Sequence, residues 1–309
     1  MACDGAPTAR ASTETPRAAQ SAQPVAAPVV SGCPVFQGPE VVGTVLVPEV
    51  SEASGLAASR RNPGVLWAHN DSGGGPRLFA LDGTGRLLKS FELPGASASD
   101  WEDIAVGPGK ETSAPHLYIA DIGDNRRRRK DGVVLHRVPE PALDPSEPAP
   151  KQAAFLGPRE TFRIRYPDGP EDAETLLVEP RTGEVVVITK TLFQAPRVFY
   201  VPSLEGPRLT WRGGREIQLE APGLGGFLPT GGDVSPDGAW VILRSYHTAY
   251  LWRRKTARPL HETFEAAPCS VPLAEEPQGE AIGFAADGRS YFTLSEGQRQ
   301  PLHRYRAAP

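Results

Sequence analysis

No run of eighteen apolar residues occurs anywhere in this 309-residue chain, so no segment reads as a membrane-spanning helix. Neither charge dominates. The 33 Lys and Arg stand against 37 Asp and Glu, a formal net charge of -4, which provides no broad basic surface and argues against a nucleic-acid partner. The six histidines, His69, His116, His136, His247, His261 and His303, are scattered without metal-ligand spacing. There is no Gly-x-Ser-x-Gly elbow, no His-Glu-x-x-His pair and no phosphate-cradling Gly-Lys-Ser/Thr loop, so serine-triad hydrolysis and nucleotide chemistry find no support. Cysteine is limited to three residues.

Glycine and proline, by contrast, are abundant at 32 and 33 residues, and beyond the first forty positions they stand singly between short apolar runs. Turn residues at that density punctuate strands. The richest stretch is Asp100 to Asn125, which reads as acid, strand, turn, strand, acid. Two antiparallel strands joined by a turn bring both acid-bearing ends to the same end of the hairpin. The unit recurs from Glu52 to Asp71, Glu174 to Lys190, Thr230 to Tyr246 and Glu280 to Glu296, each copy followed by outer strands. Among the expected outer strands are Leu209 to Leu219 in the third unit and Pro259 to Phe264 in the fourth; Pro139 to Pro150 reads as an insertion in the second. The fifth unit is one strand short, and Val41 to Val47 is a strand without partners. Pairing the two ends closes a ring and removes an exposed edge. The expected fold is therefore all-β: one five-bladed β-propeller from Gly38 to Pro309, closed by its N-terminal strand, after a tether spanning residues 1–37. A sixth blade would need a further inner strand, with room only near Pro139 or Pro222.

Thr230 to Gly238, followed by Trp240-Val241-Ile242-Leu243 and Arg244-Ser245-Tyr246, resembles the Ser-Pro-Asp-Gly hairpin of TolB-like, WD-related propeller repeats. Glu52 to Leu56, Asp100 to Ala105, Asp121 to Asn125 and Gly279 to Ile282 look like segments of a group of secreted or lipid-anchored bacterial propellers, similar in turn to the SdiA-regulated and esterase-like phytase propeller groups. The resemblance implies a calcium ion near the central channel; it implies no particular activity, because propellers host many functions. Cys3, followed by a run to about Gln37 rich in Ala, Pro, Ser, Thr and Gln, resembles a bacterial lipoprotein just past its cleavage point. A lipid anchor would then be the chain's one attachment to a membrane, and its place secreted, periplasmic or at the cell envelope. In such an oxidising compartment Cys33 and Cys269 can pair.

Laying the five units over one another puts Glu52, Glu102, Glu174, Thr230 with Asp233, and Glu280 at the entry of the first strand. At the exit of the second stand Asn70 and Asp71, Asp121 and Asp124, Thr189 and Lys190, Arg244 and Tyr246, Ser295 and Glu296. Carboxylates crowded at a low-dielectric mouth must be protonated, paired or bridged by a cation. Oxygen donors without convergent His or Cys suit Ca²⁺ or Mg²⁺ better than zinc, which makes Glu52, Glu102, Glu174, Glu280 and Asp233 the candidate metal ligands. Asn70, Asp71, Trp101, Asp121, Asp124, Lys190, Arg244 and Tyr246 are the candidate ligand contacts, with Trp101 as the floor of a pocket. The alternative for each acid is to cap its own hairpin by accepting backbone N–H groups. Arg126 to Arg129 with Lys130 form a basic hairpin tip that either grips an anion or is simply solvated. Three readings follow. The first is a propeller that binds a small molecule or protein at an acidic, metal-holding face. The second is a metal-dependent hydrolase of phosphoesters or lactones with Asp71, Asp124 or His69 as base. The third is a metal-free interaction scaffold whose acid ring is neutralised by Lys190 and Arg244.

Overall fold

The computed structural model describes Met1 and residues 32–96, 98–110, 114–144, 152–219 and 227–308. Cys3 and the greater part of the expected tether lie outside the described residues. Strand β1 (Phe36–Thr44) precedes blade one, which consists of β2 (Ala53–Ala58), β3 (Val65–Asn70), β4 (Arg77–Asp82) and β5 (Leu87–Glu92). Blade two holds β6 (Trp101–Pro108), β7 (Pro115–Asp121) and β8 (Val133–Pro139). The chain then crosses to lay β9 (Ala154–Phe155) parallel to β5 of blade one, and returns as β10 (Glu160–Arg165). Blade three runs through β11 (Ala173–Val178), β12 (Val185–Thr189) and β13 (Arg197–Val201). It then crosses back to place β14 (Arg208–Thr210) parallel to β10, before closing with β15 (Arg212–Glu216). Blade four comprises β16 (Pro229–Val234), β17 (Trp240–Ser245), β18 (Ala249–Arg253) and β19 (Cys269–Val271); blade five comprises β20 (Gly279–Phe284), β21 (Ser290–Ser295) and β22 (Pro301–Ala307).

The five first strands touch in ring order β2, β6, β11, β16, β20 and back to β2, and β1 completes blade five by pairing antiparallel with β22. This is the expected five-bladed propeller with its N-terminal closing strand. The first strands are buried almost end to end, because each is walled by its own sheet and by two neighbours. The core accordingly lies between blades: Trp67, Trp101 and Ile104 fill the space between blades one and two, and Leu177, Val241 and Trp252 that between three and four. Cys33 and Cys269 form a disulfide across 236 residues, tying the lead-in of β1 to the outer strand of blade four.

Three element boundaries differ from expectation. The closing strand, expected at Val41 to Val47, runs instead from Phe36 to Thr44, and its start is held by Phe36, which packs edge-on against Tyr291 at 4.9 Å between ring centres. Leu209 to Leu219 divides into β14 and β15 at Trp211, whose amide donates to the Arg165 carbonyl at 2.8 Å and carries the chain into the neighbouring blade. Pro259 to Phe264 is no strand. It falls largely within a 3-10 helix, Leu260–Glu265, because the Glu184 carboxylate of blade three accepts the Leu260 and His261 amides at 2.6 and 3.3 Å and winds the segment; Cys269–Val271 provides the outer strand instead.

Candidate functional site

Each inner hairpin carries the same irregularity. Ala53 pairs with Asn70, Trp101 with Asp121, Ala173 with Thr189, Pro229 with Ser245 and Gly279 with Ser295, and after each pair the first strand gains one residue on the second. A bulge re-aims side chains and favours site rims. It also fixes the equivalences between blades. Ser54, Glu102, Glu174, Thr230 and Glu280 share one position, so Glu52 is not the counterpart of Glu102. Two residues earlier, Glu52, Asp100, Asp172, Leu228 and Gln278 form a second tier. Asp71, Lys190, Tyr246 and Glu296 follow the second strands. The acids thus converge at one end of the channel, in two tiers.

The oxygens of Asp71, Asp100 and Glu102 come together there, one from each residue, all within 4.8 Å of one another. Asp71 Oδ1 is buried without a hydrogen-bond partner. Gly123, on the loop after β7, donates its amide to the Asp100 carbonyl at 3.3 Å and lays its Cα against the group; a Cβ there would overlap Glu102 Oε1 and Asp100 Oδ2. Gly123 has no positive φ, so the requirement for glycine is one of space. On the other side Lys190 Nζ pairs with Glu174 at 2.7 Å and donates to the Tyr246 hydroxyl at 3.2 Å, which donates to Glu280 at 3.2 Å. Lys190 and Tyr246 also line a cleft of about 500 Å³ with Asn125, Arg127, Asp172 and the exposed Phe193.

Burial and mutual repulsion push the pKa of several acids at this mouth upward. Burial and then Glu174, Asp71 and Asp100 raise Glu102 well above its ordinary value. Asp71 is pushed up to about 7 by burial, then by Asp100, Glu280 and Glu52. Glu174 rises to about 8 through burial, although Lys190 opposes it, and Glu296 to about 8 through burial and Glu280. Burial works against the charge of Lys190, but Glu174, Tyr246 and Glu280 outweigh it and raise its pKa. Such a site can release protons and take up a cation in their place.

A pH dependence follows. Carboxyls that titrate near 4 in the unfolded chain and at about 7 to 8 in the folded one make the native state bind more protons. The stability they contribute is fully present below about pH 4 and is lost as pH rises through 7 to 8. His69, lowered to about 4 by burial, acts in the opposite sense, but only up to its unfolded value of about 6.5. Between pH 6.5 and 8 the acids act alone. Metal-free protein is therefore expected to lose about 1–2 kcal/mol over that window, after discounting the partly exposed Asp71 and Glu296. Thermal melts in metal-free buffer check this; a melting temperature that rises with pH there contradicts it.

Several expected site residues serve elsewhere. Trp101 is fully buried, edge-on to His69 at 5.7 Å and tilted against His136 at 6.4 Å, so it builds core and floors no pocket. Asp233 accepts the Val234 and Phe284 amides at 2.7 and 2.8 Å, stitching blade four to blade five inside the channel. Asp103 does the same from blade two, accepting Ile104, Leu176 and Gly232 amides. Asp124 accepts the Arg128 and Arg129 amides at 2.8 and 2.6 Å and so caps its own loop. Asp121 pairs with Arg129 at 2.7 Å, and Arg127 with Glu171 at 3.3 Å, so two of the five residues of the basic run brace the loop. Asn70 bridges the Glu49 carbonyl and Glu52 amide. Glu52 meets the Ser72 hydroxyl at 3.4 Å and adds charge next to Asp71.

Arg244 departs furthest from expectation. It lies fully buried behind the rim, paired with Glu276 at 2.7 Å and donating to the Ala281 carbonyl at 3.1 Å. His69 occupies the equivalent place in blade one, buried beneath Gly55. From the sequence Asp100 was open to two readings, turn chemistry of its own blade or the asymmetry that makes the acid ring a site, and Asp172 was overlooked. The signal was present as an acid two residues before Glu102 and before Glu174, matching Glu52 before Ser54.

No family model matches the chain, and no curated protein matches it in sequence. Among solved structures, a chain of Kuenenia stuttgartiensis hydrazine synthase is similar at 10% identity and a TM-score of 0.41, with 81% of this chain and 82% of that chain covered. A likeness of that degree assigns no activity.

Proposed function

We propose that this propeller binds a divalent cation, calcium in the first instance, on Asp71, Asp100 and Glu102 at the mouth of its channel. The cation and the neighbouring cleft then hold a small ligand or partner. The observations that carry this reading are the convergence of one carboxylate oxygen each from Asp71, Asp100 and Glu102 and, on the first of these residues, a buried Oδ1 without a hydrogen-bond partner. An ion with metal–oxygen distances of about 2.3–2.6 Å reaches oxygens up to roughly 5 Å apart, and hard carboxylate donors suit calcium. The burial of Arg244 with Glu276 weakens the metal-free alternative, because it leaves Lys190 to oppose Glu102, Glu174 and Glu280 without it. The hydrolase alternative loses two of its three bases: His69 is buried and Asp124 is taken by two amides. Cys33–Cys269 supports the further reading that the chain works in an oxidising compartment, secreted or at the cell envelope.

Calcium titrated calorimetrically into metal-free protein is expected to fill one site and to release protons, so that the measured heat depends on the buffer. Glu102→Gln is expected to weaken binding at least tenfold. Absence of both binding heat and a calcium-dependent thermal shift overturns the proposal.

A further inference from the structure

An arginine-lined cleft lies on the outer wall, far along the blades from the channel strands. Strand β10 alternates Phe162 and Ile164 inward with Arg163 and Arg165 outward. When β14 crosses from blade three it settles beside β10 with Arg208 directly opposite Arg163. Like charges opposite one another on paired strands are destabilising, and nothing local relieves them. Arg163 reaches the Gly132 carbonyl, and Arg165 the exposed Asp131, only at 3.4–3.5 Å. Among the described residues Arg208 and Arg212 form no ion pair, whereas other arginines of the outer strands are tied at short range, as in Arg77–Glu92 and Arg197–Glu171.

These four arginines line one cleft of about 720 Å³, with Glu205 as its one acid. Trp211, at the crossing between blades, also lines it and is 1% exposed. A wall of four guanidinium forks with one carboxylate among them is therefore short of both negative charge and acceptors. The geometry points to a ligand that brings several of each, and we infer that this cleft binds phosphate groups carried in multiply charged form. Guanidinium matches phosphate oxygens in bidentate fashion, and four of them exceed what a single carboxylate would satisfy.

The test uses full-length protein dialysed free of metal and chelator, so that the acidic mouth does not recruit the probe through an ion. Pyrophosphate is titrated calorimetrically, and phosphatidic acid vesicles are assayed by sedimentation against phosphatidylcholine vesicles. Binding of either probe is expected, weakening as salt rises, with at least a tenfold loss in the Arg163→Gln, Arg208→Gln double variant. The probe that binds tells whether the phosphate is soluble or borne by a lipid. The double variant, relieved of its facing charges, is expected to melt no lower than the parent, which separates lost binding from lost folding. Failure of both probes to bind the parent, or equal binding by the double variant, overturns the inference.

Discussion

Gly123→Ala is expected to abolish calcium binding at the channel mouth, weakening it by about 100-fold or more, which corresponds to roughly 2.7 kcal/mol, without removing any ligand. The added methyl would occupy the space now held by Glu102 Oε1 and Asp100 Oδ2, so the two carboxylates must turn away and the three-oxygen cluster with Asp71 disperses. Backbone strain is not involved, because Gly123 adopts no left-handed conformation. The substitution therefore separates geometry from ligand chemistry: every carboxyl is kept, whereas Glu102→Gln keeps the shape and removes a carboxyl that can release its proton to the ion. Calorimetric titration of both variants checks the prediction. If Gly123→Ala binds calcium like the parent, the three-carboxylate cluster is not the site.

Arg244→Ala is expected to lower stability by about 3–5 kcal/mol, or on the order of 10 °C in melting temperature for a domain of this size, and to leave calcium affinity of the folded protein unchanged. Arg244 is wholly buried, and Glu276, at 1% side-chain exposure, receives it at 2.7 Å together with Thr293 Oγ1 at 2.7 Å and His303 Nδ1 at 3.0 Å. Truncation strands the Glu276 carboxylate in the core with no guanidinium. Burial works against that charge, and His303 and Arg244 together keep the Glu276 pKa below its ordinary value. Arg244→Met combined with Glu276→Gln is expected to recover part of the loss, since no charge is then left unpaired. Denaturant unfolding measures the stability, and calcium titration at low temperature reads the site. A large fall in calcium affinity for folded Arg244→Ala would return Arg244 to the mouth, where sequence alone placed it.

That misplacement has a definite origin. Arg244 and Tyr246 stand two apart near a strand end, and in a regular strand both would share a face. Tyr246 lies past the end of the strand at Ser245 and emerges at the rim beside Lys190, while Arg244 is still in the ladder opposite Gly231 and Ala249, at a level filled by His69, Ala120, Ile188 and Leu294 in the other blades. An arginine at a core position looks like a site residue until its buried partner is known. Glu276, that partner, lies on the lead-in to β20 and carries no local signal. Glu52 was aligned with Glu102 because each is a glutamate that opens an acidic motif, whereas the register fixed by the bulges after Ala53 and Trp101 equates Glu102 with Ser54 and Glu52 with Asp100.

What the sequence by itself determined is the repeated hairpin and its consequences. Turn residues set strand lengths, five copies set the blade number, the short final unit and spare first strand set the closure, and antiparallel pairing put the acids at one end. These depend on contacts between residues near one another in the chain, or on counting. Tertiary structure alone decided which acids meet, because Asp71, Asp100 and Glu102 come from two blades and are gathered by recurrent bulges and by the close approach of Gly123. It alone decided that Asp103 and Asp233 stitch the channel, that Arg244 is core, and that β14 leaves its own blade to face Arg208 with Arg163. Each of these rests on contacts between blades, whose partners are set by the packing of the whole ring and leave no periodic trace in either segment.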